Sequence, residues 1–183
     1  MQQEQQLMVV DRDDHLVEYA PRSVCHTGDG RMHRAILVLL YNSDGKMLLQ
    51  RRKHALFDDQ WDLSGATHPL HVAGRDESYE EAAARLLRVE WGVTTPMRQV
   101  LPFTYFARSG TSCENEYCML LAAQFDGVFV ANPDHAYATR WATLTEARSE
   151  LLGGKPPYTP WARVALESLG SNPRGWELAA TLA

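Results

Sequence analysis

The chain has 183 residues, 45% of them hydrophobic, and a formal net charge of −5. That length fits one domain with a sizeable core, since domains run to roughly 100–200 residues. The acidic balance argues against a nucleic-acid or membrane-surface partner, while leaving room for a local basic pocket.

In chain order, LMVVD and LVEYA flank the polar turn DRDDH and predict a small hairpin. AILVLLY and KMLLQRR flank NSDG and predict a second hairpin with a Gly-containing turn. The 18 residues from Phe57 to Gly74 have no clear period and hold two Gly, one Pro and two His. They read as a loop, long enough to be either functional or disordered. SYEEAAARLLRVEWGV reads as a helix, with Ser78 and Glu81 as a capping box and Gly92 as its stop. Strands are expected near VLPFTYFA, EYCMLLAAQF, GVFVA and ATRWATL. A helix should begin at Thr143 or Thr145 and stop at Gly153-Gly154. Another starts with Thr159 as N-cap and Pro160 in its first turn, and a last one lies around Trp176. Hairpins and separate helices together predict an α+β fold, one domain over residues 1–183, with a mostly antiparallel sheet.

Cys25, Cys113 and Cys118 are an odd set without a disulfide-framework spacing. The start MQQEQQ is not a signal peptide, and no apolar run approaches the ~18 residues of a membrane span. A cytoplasmic protein with free thiols, monomeric or dimeric, is expected.

Three histidines stand out: His26 and His33 in CHTGDGRMH, and His68 in WDLSGATHPL. In CENEYC, Glu114 and Glu116 are two apart at a strand start, so alternation points both carboxylates to one face. Paired carboxylates need a cation, a shared proton or solvent. Three imidazoles and two carboxylates suit a five- or six-coordinate divalent metal. The same residues also fit a solvated strand face and loop caps, so the spacing alone leaves both open.

The first predicted helix supplies the next clue. Glu77, Arg85, Glu90 and Gly92 fit E-x7-R-x4-E-x-G, the skeleton of a Nudix box. His71 stands at the box's first Gly, and Leu86 and Val89 stand where Nudix hydrolases carry Glu. In a hydrolase this helix face gathers carboxylates around Mg²⁺ to activate water. Here Glu90 alone remains at its C-terminal end.

From about Val10 to Leu169 these residues resemble the type I isopentenyl-diphosphate isomerases, a branch of the Nudix superfamily. The resemblance implies a Nudix fold and a prenyl diphosphate substrate. It implies a divalent metal (Mg²⁺, Mn²⁺ or Zn²⁺) held by His26, His33, His68, Glu114 and Glu116, and Glu90 on a second Mg²⁺ carried by the diphosphate. Glu116 and Tyr105 would protonate the alkene, and Trp161 would face the cationic carbon. Arg22 (replacing the usual Lys), Arg51, Arg52, Lys53 and Trp61 are the substrate-binding candidates.

Two departures matter. Ala66 stands where the family has its catalytic Cys, two residues before the His of the HP pair, and Cys25 and Cys118 lie elsewhere. Leu86 replaces an Arg beside Arg85, and the loop after Arg52 is short. The family reaction needs an acid and a base on opposite faces of the substrate. With Ala66 on one face, an acid without an opposing base points to isomerisation or to cyclisation of a longer prenyl chain. Diphosphate hydrolysis and a non-catalytic binding role are the alternatives.

Overall fold

The computed structural model describes residues 4–182. Strands β1 (Gln6–Val10) and β2 (Leu16–Pro21) form the first expected hairpin. A single helical turn follows, α1 (Arg22–Cys25), too short to leave a periodic signal. Strand β3 (His33–Tyr41) is the centre of the molecule. Its residues 35–41 are buried on both faces: Leu37 and Leu39 enter one core, Ile36, Val38 and Leu40 the other. This is why AILVLLY reads as an unbroken apolar run and not as an alternation.

The NSDG turn forms as expected, with Asn42 Oδ1 accepting the Asp44 and Lys46 N–H groups. The flanking strands then diverge. β3 and β4 (Met47–Arg52) share only the Tyr41–Met47 pair. The separation frees the inner edge of β3 for another segment. That segment lies in the stretch expected to be loop, which contains β5 (Trp61–Asp62), β6 (Gly65–Thr67) and β7 (Leu70–Val72), followed by β8 (Arg75–Asp76). β6 pairs with β3, placing Ala66 opposite Leu37. Strands of two or three residues show no period, so only tertiary pairing defines them.

Helix α2 (Tyr79–Trp91) has the expected capping box, and Gly92 closes it in the left-handed region at φ 63°. Its Ala82, Ala83, Leu86 and Leu87 pack on one face of the sheet. Strands β9 (Arg98–Ser109) and β10 (Ser112–Gln124) form a long hairpin, and β10 runs parallel to β3. Among the described residues the other strand pairings are antiparallel, apart from an isolated parallel bridge between Trp61 and Tyr158.

GVFVA is not a strand. Val130 N–H donates to the Trp91 carbonyl at 3.1 Å and Asn132 N–H to the Glu90 carbonyl at 2.8 Å, so this segment caps the end of α2. Orphan helix carbonyls outcompeted a sheet edge for these amides. Strand β11 (Ala136–Ala142) pairs with β4. Helices α3 (Leu144–Gly153), α4 (Pro160–Ser171) and α5 (Trp176–Thr181) supply buried side chains to the core that holds Leu37 and Leu39. Thr143 caps α3, settling its start, and Thr159 caps α4. The three cysteines are free and buried. Among the described residues no helix is long and apolar enough to cross a membrane.

Candidate active site

Sheet register builds the site. Glu116 of β10 lies opposite His33 of β3 on one side and Tyr105 of β9 on the other, so three neighbouring strands present three polar side chains in a row. Glu114, two residues back, shares their face. His26 follows α1, and its carbonyl accepts the Cys113 N–H at 3.0 Å, which fixes it beside Glu114. His68 leaves the end of β6, and its carbonyl accepts from Arg85 at 2.9 Å. His26, His33, His68, Glu114 and Glu116 are all buried, and their ligand atoms lie within 4.8 Å of one another.

These five residues fit a cation. His26 Nδ1–H donates to the Arg22 carbonyl at 2.8 Å and His33 Nδ1–H to the Arg31 carbonyl at 2.7 Å. With their Nδ1–H groups committed to backbone carbonyls, both rings turn Nε2 toward the cluster, as imidazole ligands do. His26 Nε2 is 2.9 Å from Glu114 Oε2, yet neither atom has a hydrogen-bond partner. His33 Nε2 is 3.6 Å from Glu116 Oε1 and is also unpartnered. Buried lone pairs facing each other are costly unless a positive charge lies between them. His68 differs. Its Nδ1 faces the Arg22 guanidinium at 3.2 Å, which can only donate, so Nε2–H donates to Glu116 Oε1 at 2.9 Å. A metal at that nitrogen would displace the proton. Burial, with His33 and Arg22 nearby, pulls the His68 ring down to about 3, so it is neutral.

The two carboxyl groups are driven apart. Burial and the charge of Glu116 push Glu114 up, against the pull of His26. Burial also opposes the charge on Glu116, but His33 and His68 outweigh it and hold Glu116 well below the usual carboxylate range. The Tyr105 hydroxyl donates to Glu116 Oε2 at 2.5 Å, and burial followed by the Glu116 charge pushes that phenol far up.

A cavity of about 320 Å³ opens on this row. Ala66, Leu86, Val89 and the Trp161 ring give it an apolar side, and Arg22, Arg52 and Arg85 give it a cationic one. Tyr105 and Trp161 are adjacent, ring centroids 5.8 Å apart. Glu90 also lines it, and burial lifts its carboxyl to about 7 against the pull of Arg52. β6 packs so tightly on α2 that a Cβ added to Gly65, at φ 136°, would lie 2.9 Å from Glu90 Oε2 and 3.0 Å from Leu86 Cδ2.

Three substrate-binding candidates lie outside the cavity. Arg51 points away, to Asp59 at 3.2 Å and the Tyr137 ring. Strand alternation sends only one of the Arg51–Arg52 pair inward. Lys53 donates to the Pro133 carbonyl at 2.9 Å and sits over Tyr137. Trp61 packs under Arg140, whose guanidinium is 4.4 Å from its ring centroid. Sequence reasoning missed Arg85, His135 and Asp62, and read His54 as a solvent-facing loop residue, which its exposure bears out although it borders the cavity. Arg85, quoted only as part of the Nudix box, holds Glu77 through both carboxylate oxygens at 2.9 and 2.8 Å while reaching the cavity wall. His54 and His135 also line the cavity. Nothing in the local sequence marks them, because their placement depends on loops.

Residues 31–163 match the Nudix domain model. An isopentenyl-diphosphate Delta-isomerase from Nocardia farcinica is 31% identical over 163 residues, covering 87% of this chain and 91% of its own. The chain belongs to the isopentenyl-diphosphate isomerase branch of the Nudix superfamily. A Serratia proteamaculans member of this family is 28% identical, covering 92% of this chain and 93% of its own. The Nudix fold is shared with a solved Deinococcus radiodurans protein at a TM-score of 0.69 and 22% identity, covering 88% of this chain and 98% of that one. A MutT Nudix hydrolase from Burkholderia pseudomallei shares it at 0.55 and 22%, covering 73% and 94%.

Proposed function

We propose that this chain is a metal-dependent isoprenoid-diphosphate enzyme that protonates a carbon–carbon double bond and passes the resulting carbocation to an isomerised or cyclised product. The observation that carries the reading is Glu116. It belongs to the His/Glu donor set, accepts the Tyr105 hydroxyl, and faces a cavity walled by Trp161 and three arginines. Prenyl substrates named for relatives of this chain point the same way.

His26, His33, His68, Glu114 and Glu116 would hold the divalent cation, with imidazole favouring Zn²⁺ or Mn²⁺. When bound, it supplies positive charge that fixes and polarises the Glu116 carboxyl group. Arg22, Arg52 and Arg85 neutralise the diphosphate, and Glu90 would share a Mg²⁺ with it. The Glu116–Tyr105 pair gives a proton to one alkene carbon, and the π electrons become the new C–H bond. The tertiary cation left behind faces the Trp161 ring. Ala66 offers no base on the opposite side, so the same pair takes back a different proton, or a second double bond of a longer chain captures the cation. The cavity is at the lower end of the roughly 300–1,000 Å³ usual for small-molecule sites. That size favours a short prenyl chain.

Diphosphate hydrolysis fits less well, because Leu86 and Val89 make the helix face apolar where water activation needs carboxylates. The test is incubation with five-, ten- and fifteen-carbon prenyl diphosphates plus Mg²⁺ or Mn²⁺ in D₂O. Deuterium in the product supports the proposal. Phosphate release without deuterium would establish hydrolysis, and inertness with tight binding a non-catalytic role. Ala66→Cys should raise five-carbon isomerisation by about 10²-fold or more, the usual worth of a positioned acid or base.

A further inference from the structure

Asp62 is fully buried at the end of β5, opposite Gln50 of β4, and the chemistry above does not use it. Its carboxylate collects donors from three segments. Leu63 N–H reaches Oδ1 at 2.8 Å, and Trp161 Nε1–H lies 2.9 Å from both oxygens. The Arg52 guanidinium reaches Oδ2 at 3.1 Å and the Thr159 hydroxyl reaches Oδ1 at 3.2 Å. Leu63, Trp161 and Arg52 can only donate and Thr159 can do either, so although burial pushes the Asp62 carboxyl up, four of its five contacts fit the ionised form.

Asp62 does not touch the cavity, but Arg52 and Trp161 line it. The Arg52 guanidinium stands 4.9 Å from the Trp161 ring centroid, so a cation already occupies part of the π system. Unneutralised, it would repel positive charge developing nearby. Asp62 offsets that charge and fixes the indole by its N–H, alongside the edge contact from Phe57 at 5.1 Å. A buried ion pair is weak support for stability, since apolar residues of the same volume often serve as well. Stability alone therefore gives little reason for an Asp–Arg–Trp triangle at the cavity wall.

We infer that Asp62 is a positioning residue, which orients the Trp161 ring and balances Arg52 so that the ring can face a carbocation. The inference rests on the protonation reading above. The test is Asp62→Asn, which keeps the shape and removes the charge. Four quantities are read: kcat and KM by deuterium incorporation, Kd for inorganic diphosphate, the melting temperature, and the Trp161 indole N–H resonance. The indole resonance should move. kcat should fall about tenfold or more, while KM and the diphosphate Kd stay within about threefold of wild type, because Arg52 is still present to bind phosphate. A purely structural role would lower diphosphate affinity and melting temperature along with kcat, and that joint loss overturns the inference. In a Trp161→Phe background, which lacks the indole donor, Asp62→Asn should add less than about threefold. A full-sized effect there, or an unchanged kcat in the single variant, overturns the inference. If Asp62→Asn does not fold, Asp62→Ser, which removes the charge and leaves a small acceptor for the indole, decides by the same readings. Turnover within about threefold of wild type overturns the inference, and a tenfold loss at unchanged diphosphate affinity supports it. Wild-type protein that incorporates no deuterium sinks the protonation reading and this inference with it. An active wild type with an indifferent Asp62→Asn sinks the inference alone.

Discussion

At the β3–β10 end of the cavity, three imidazoles and two carboxylates crowd within 4.8 Å. At the α2 end, Leu86 and Val89 leave Glu90 as the one carboxylate that the helix brings to the cavity. His33, Glu114 and Glu116 are placed by sheet register, in pairings that the core also needs, while His26 and His68 are held where the chain leaves α1 and β6. On the helix face Leu86 is buried in the core beneath α2 and Val89 is exposed, so neither position supplies a ligand. The two ends therefore separate two kinds of chemistry that one Nudix scaffold can host. Under the proposed function one is a buried donor set around a proton-donating pair, and the other, in Nudix hydrolases, is a carboxylate-rich helix that activates water.

That contrast can be broken at either end. The largest effect is expected from Glu116→Gln, which keeps the volume and removes the carboxylate half of the Glu116–Tyr105 pair. Deuterium incorporation should drop by about 10²–10⁴-fold, the range for a positioned proton donor. Turnover close to wild type would mean that the strand end does not carry the chemistry.

A second test concerns the cation. Mn²⁺ or Zn²⁺ at a hundred times its Kd should stabilise the folded protein by about 2.7 kcal/mol. For a chain of this size that is about 5–10 °C in melting temperature. Chelator should reverse the shift, and His33→Ala should abolish it. The same shift in His33→Ala would place the cation elsewhere, with the α2 end the first candidate.

The smallest effect is expected at Glu90, in metal-free protein. Burial lifts its carboxyl from an ordinary 4.5 to about 7. Between these values the folded state binds the proton that the unfolded chain releases, so stability is full below about pH 4.5 and is lost as pH rises through about 7. The loss should amount to about 1–3 kcal/mol, read from denaturant melts across that window. Glu90→Gln should flatten the curve. An unaltered curve would show that the helix end is wetter than its packing implies.

Much of the donor set was legible because it lies in short motifs: CHTGDGRMH, the HP pair and CENEYC each bring their ligands within a few residues. The α2 helix was legible through its capping box and Gly92. The missed groups share a different property. Asp62 sits in a two-residue strand and His135 in a loop, so no local period or motif flags them. Arg51, Lys53 and Trp61 were assigned by proximity to the motifs, and strand alternation or loop packing turns them away from the cavity. GVFVA has strand composition, yet its amides close the end of α2.

The sequence by itself marked candidate cation-holding residues, through motifs shared with a family, placed the caps of α2 and the start of α4, and showed that Ala66 offers no acid or base. Those properties are local, set by side-chain chemistry and by backbone preferences over a few residues. Only the tertiary structure decided that His33, Glu116 and Tyr105 stand in one row, that Arg52 and not Arg51 enters the cavity, and that Asp62 ties Arg52 to Trp161. Each of these depends on pairing between segments far apart in the chain, whose register is set by burying β3 on both faces.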